Sequence, residues 1–109
     1  MLIRLFAYSN NEVQAKNIFD SITSSINSSI VFKEYKKIEP YWKIEGIYLI
    51  EVRIELDKYF KEESMEEFLK SIADKWIVFG NPIEEVLASE ATEGCNYIKK
   101  GVNMINISY

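Results

Sequence analysis

Between Tyr48 and Leu56 the chain alternates as strictly as a two-residue period allows. Tyr48, Ile50, Val52, Ile54 and Leu56 take one set of positions, and Leu49, Glu51, Arg53 and Glu55 take the other. Successive side chains on a strand point to opposite faces. This segment therefore reads as a β-strand with one face in a core and the other mostly in water. Such a strand belongs to an antiparallel sheet covered on one side, and the rest of the chain must supply the cover.

Two stripes of helical spacing answer that need. Ala15, Ile18, Phe19, Ile22 and Ile26 share one helix face, with Asn10 or Asn11 placed to cap it. The serine-rich run from Ser24 to Ser29 weakens that helix and ends it. Ser64-Met65-Glu66-Glu67 reads as a capping box. Phe68, Leu69, Ile72, Ala73 and Trp76 follow as a second stripe, which Phe79 extends, and Gly80 stands where a left-handed residue would close the helix. Trp76 to Phe79 is also β-prone, so the helix could instead stop near Lys75.

Four further segments read as strands: Leu2 to Tyr8, Ile30 to Ile38, Ile83 to Ser89, and Val102 to Tyr109. Pro40, lacking an N–H, suits a turn or a sheet edge after the second of these. Asn81-Pro82 could alternatively open a short helix. Met104 and Ile105 are expected in the core. The order predicts an α+β fold, a ferredoxin-like split βαβ with two helices on one face of an antiparallel sheet, plus an extra C-terminal strand. Residues 1–109 read as one domain.

The chemistry open to this chain is narrow. It has no histidine and a single cysteine. Histidine is the usual general base near neutral pH and the commonest metal ligand. Ser or Cys triads need such a base, so no catalytic residue is expected. Cys95 alone forms no internal disulfide, and a neighbouring acid would raise its pKa, which points to an inert thiol in a reducing compartment. No apolar run is long enough for a membrane helix or a signal peptide, so the cytoplasm is the expected location.

Glu62-Glu63 and Glu66-Glu67 cluster acids at the start of the second helix, but no calcium-loop pattern accompanies them. Acids there suit the positive end of the helix dipole, and no metal site is expected. Glu51 and Glu55 lie about 13 Å apart on an extended strand. That is too far for either geometry of glycoside hydrolysis, and Arg53 between them favours ion pairing. The four glycines are scattered and form no phosphate loop, so no cofactor is expected.

Charge is the remaining guide. The chain carries a net −4 overall. Residues 45–93 are the acidic part and the flanking stretches are mildly basic. An acidic middle argues against a nucleic-acid backbone as partner and for a cationic protein, although acidic side chains also keep a protein soluble. Tyr35, Tyr41 and Trp42 cluster among lysines near Pro40. They could anchor an interface, close the end of the sheet or stack on single-stranded nucleic acid.

The C-terminal part adds a resemblance. Phe79-Gly80-Asn81-Pro82, Leu87-Ala88-Ser89, Gly94-Cys95-Asn96 and Val102-Asn103-Met104-Ile105-Asn106 resemble segments of small bacterial immunity proteins, which neutralise toxin domains in interbacterial competition. The resemblance implies a non-enzymatic cytoplasmic inhibitor whose partner is a cognate toxin domain, and it carries no binding residue across. From charge and aromaticity, the expected partner-binding residues are Tyr41, Trp42, Glu51, Glu55, Asp57, Glu62, Glu63 and Glu66. A small-molecule-binding or regulatory module that dimerises is the alternative, by fold-level analogy.

Overall fold

The alternating segment forms strand β3, Ile47–Leu56, in a computed structural model that describes residues 1–109. Around it the chain runs β1 (Leu2–Tyr8), α1 (Glu12–Thr23), a 3₁₀ turn (Ser24–Ser29), β2 (Ile30–Pro40), β3, α2 (Glu62–Ile72), β4 (Ile77–Phe79), β5 (Glu85–Ser89) and β6 (Val102–Ser108). The fold is α+β, with one sheet of six strands in the order β2-β3-β1-β6-β5-β4 and every neighbouring pair antiparallel.

Register shows how the period-two pattern becomes a core. Ile3 faces Val52 on one side and Ile107 on the other, and Leu5 faces Ile50 and Ile105. Val86 and Ala88 continue the same rows through β5. These side chains join Ala15, Phe19 and Ile22 of α1 and Phe68 and Ile72 of α2 in one buried cluster. The opposite parity of β1 and β3 gives a smaller second cluster, in which Phe6, Ile47 and Leu49 pack with Tyr41 and Met104. Ile105 is fully buried as expected, whereas Met104 belongs to this second, partly open patch.

Helix α1 starts as its sequence suggests: the Asn11 side chain accepts the Gln14 N–H at 2.8 Å. The serine run does not release the chain but tightens it into the 3₁₀ turn, which keeps Ile26 buried. Thr23 and Ser24 hydroxyls donate back to the carbonyls of Phe19 and Ser21, the competition with the helix ladder that disfavours these residues mid-helix.

Helix α2 departs from expectation at its start, and at its end follows the earlier of the two stops that its sequence leaves open. It begins at Glu62 with Lys61 at the N-cap, so Ser64 lies inside the helix and forms no capping box. It stops at Ile72, and Ile77–Phe79 pairs with β5 as the edge strand β4. The β-branched and aromatic residues there gain more from the sheet than from another helical turn. Gly80 does take a left-handed conformation, φ +92°, but at the end of β4 rather than of the helix. A Cβ there would come within 2.8 Å of Glu84 Cγ, so only glycine fits.

The C-terminal strand also differs from an added extra. β6 pairs within the chain between β1 and β5, in the middle of the sheet. The edges are β2 and β4 instead, and Pro40 ends the long edge strand where its missing N–H costs nothing. No helix is long and apolar enough to cross a membrane.

Candidate functional site

Glu62, Met65, Glu66 and Leu69 follow the i, i+3, i+4, i+7 spacing and so lie along one face of α2. The adjacent row, Phe68 and Ile72, sinks into the core. This division leaves the first face looking across a groove at the β4–β5 side of the sheet. The groove holds a cavity of about 390 Å³, lined by Phe60, Met65, Leu69, Trp76, Val78, Ile83, Val86 and Tyr109, with Lys61, Glu62 and Glu66 also contributing. Met65 and Tyr109 also line a second, more open depression, formed with Met1, Ile54, Glu55 and Leu56.

The far wall of the groove is held rigidly. The Trp76 indole N–H donates to the carbonyls of Leu69 at 3.0 Å and Ala73 at 3.1 Å. The Leu69 carbonyl also accepts the Ala73 N–H at 3.1 Å, so the indole adds a second donor there, reaches the Ala73 carbonyl beyond the helix end, and fixes its own ring as a wall. Tyr109 closes the end of the groove, and partial burial raises its phenol pKa, keeping it a neutral hydroxyl.

Electrostatics separate this site from the other acids. Arg4 Nε holds Glu51 at 2.9 Å, and Arg53 holds Glu55 at 2.9 Å. Lysines likewise pair with Glu12, Asp20, Glu34 and Glu39. None of the ion pairs involves Glu62, Glu63, Glu66 or Glu67. Lys61 donates its ammonium to the Lys58 carbonyl, and Lys70, one turn beyond Glu66 on α2, forms no ion pair.

The residues expected from sequence to bind a partner thus divide. Glu62 and Glu66 line the groove, and Glu55 lines the second depression. Glu63 is exposed on the same helical turn but outside that lining. Glu51 is paired with Arg4 and largely covered. Asp57 serves a turn: its carboxylate accepts the Tyr59 N–H and its own N–H donates to the Ser29 carbonyl. Tyr41 packs edge-on against Phe6 at 5.0 Å, closing that end of the sheet. Trp42 is 82% exposed beside Lys43, in the β2–β3 connection at the end of the sheet away from the groove. The apolar lining was missed because Trp76, Val78 and Ile83 belong to the β4–β5 hairpin segment, which only the tertiary fold sets against Met65 and Leu69 of α2.

Cys95 lies beside Asp74, whose carboxylate accepts the backbone N–H groups of Asn96 and Tyr97. Those bonds, that of Tyr97 foremost, lower the Asp74 pKa. Desolvation first and the Asp74 charge second raise the thiol pKa of Cys95, so the acid that keeps it protonated is distant in sequence. No group of three or more Cys, Asp and Glu residues is arranged to hold a metal ion. Comparison with protein-family models, with curated proteins and with solved structures finds no match.

Proposed function

We propose that this chain is a non-enzymatic immunity or inhibitor protein that binds and neutralises a cognate, basic bacterial toxin domain in the cytoplasm. The observation that carries the reading is the apolar groove edged by carboxylates that have no cation of their own. Apolar surface supplies affinity, and the unpaired acids steer a cationic partner and penalise an anionic one. The topology supports a ferredoxin-like reading of the scaffold. β1 and β2 run parallel with β3 between them, and β3 and β6 run parallel with β1 between them, which makes two interlocked split βαβ units extended by the β4–β5 hairpin. Residues of both helices join one cluster with the sheet, which supports their sharing a face.

The test is co-expression with the toxin domain encoded next to this gene. A stoichiometric complex that inhibits the toxin, weakens at high salt and weakens further on Glu62→Lys and Glu66→Lys supports the proposal. Toxin activity untouched by excess protein refutes it, and salt-insensitive inhibition removes its electrostatic part.

A second reading is a small-molecule-binding module that dimerises. The cavity favours it: about 390 Å³ falls within the rough 300–1,000 Å³ range of small-ligand sites. A metabolite that raises the melting temperature with the logarithm of its concentration above Kd would support this reading over the first.

A further inference from the structure

We infer that the groove beside α2 receives a bulky apolar side chain of the partner protein, with a lysine or arginine next to it seated against Glu62 and Glu66. This rests on the inhibitor reading and names what the partner must present.

The apolar half of the requirement comes from what the groove leaves wet. Val78 and Ile83 are 51% and 49% exposed on its walls, while Val86 at its base is buried. The space between them is walled by elements that cannot easily collapse into it. Met65 and Leu69 project from α2, Val78 is fixed in register against Val86, and Trp76 is pinned by two hydrogen bonds. A preformed apolar pocket of this sort is where one large anchor contributes most of an interface's affinity.

The charged half comes from the rim. Glu62 and Glu66 are one helical turn apart, both line the cavity, and neither has an ion-pair partner. Two carboxylates at that spacing suit a guanidinium or ammonium reaching over the anchor. An acidic residue in the same place would meet repulsion. Neither neighbouring lysine neutralises the rim by pairing: the Lys61 ammonium already has a carbonyl acceptor, and Lys70, one turn beyond Glu66, is exposed and outside the cavity lining.

Trp42→Phe removes one of the two tryptophans and leaves Trp76 as a fluorescence reporter in the groove wall. The probes are n-octylammonium and octanoate, equal in chain length and opposite in charge, used below their micelle concentrations. The expected result is a saturable change in Trp76 emission with octylammonium and binding about fivefold weaker for octanoate, the scale of a rim charge. Glu62→Gln with Glu66→Gln should bring the two probes to equal affinity with an unchanged circular dichroism spectrum. Val78→Phe, which fills the groove, should weaken both. Equal binding of the two ions to the original groove, or Trp76 emission that neither moves, overturns the inference. With a toxin domain in hand, the glutamine pair and Val78→Phe together should weaken the complex about tenfold or more. A complex indifferent to them overturns the groove assignment and leaves the inhibitor reading standing. Failure of the toxin domain to bind, with the ammonium preference intact, does the reverse.

Discussion

Replacing Trp76 with phenylalanine should cost about 2 kcal/mol. Half of this comes from the indole N–H, which serves two carbonyls at the end of α2, at 3.0 and 3.1 Å. A net hydrogen bond is worth about 1 kcal/mol, and its loss takes the indole donor from the Ala73 carbonyl, while the Leu69 carbonyl keeps the Ala73 N–H. The other half comes from packing: phenylalanine lacks the second ring, and burial of that much apolar surface is worth about 1 kcal/mol. For a domain of this size the melting temperature should fall by about 8–12 °C. Urea titration is the cleaner assay, because the slope should stay constant while the midpoint falls. Trp42→Phe is the internal control: at 82% exposure it should change stability by less than about 0.5 kcal/mol. If the two substitutions cost the same, the indole of Trp76 is not what fastens α2 to the hairpin, and the account of a rigid groove wall fails.

Ile105→Ala removes a fully buried side chain from the central strand, where β1 and β5 flank it; a loss of about 3–4 kcal/mol in chemical denaturation is expected. Gly101→Ala places a methyl group 3.0 Å from Ile18 Cδ1 on a backbone at φ +91°, and should destabilise by about 1–3 kcal/mol, measured by thermal melting. Because the folded Asp74 pKa lies below its ordinary value, its contribution is present at neutral pH and is lost as pH falls through that folded value. Asp74→Asn should therefore flatten the stability profile below about pH 4, read by urea midpoints across acid buffers. The same substitution should speed alkylation of Cys95 by iodoacetamide at neutral pH, since it removes the charge that holds the thiol protonated; an unchanged rate would mean burial alone protects the sulfur.

The strands and helices legible in the sequence are those whose burial pattern is set within one element. β3 shows its alternation because Ile50, Val52 and Ile54 join the main buried cluster while Glu51, Arg53 and Glu55 between them do not, and α1 shows its stripe and cap for a similar local reason. The end of α2 stayed open between two readings, because the β-prone run Ile77–Phe79 becomes a strand only with β5 alongside it. The capping-box pattern at Ser64 was outcompeted by a helix start one turn earlier, near the Asp57 turn. The central place of β6 was equally hidden, since a strand's neighbours are chosen by rows such as Ile107–Ile3–Val52 that span the whole chain. At the candidate site, the acidic rim could be read from composition. The separation of Glu62 and Glu66 from the ion-paired Glu51 and Glu55 depends on which arginines the sheet brings across, Arg4 from β1 and Arg53 from β3 itself.

The position of β6 has a consequence during synthesis. Until residue 108 has left the ribosome, β1 has only one flank occupied, and the β4–β5 hairpin has no sheet to join. The nascent chain therefore waits with its widest apolar rows open, and assembly proceeds as a single late event rather than in N-terminal instalments. Holdase chaperones binding the emerging Leu2–Leu56 half would bridge that interval.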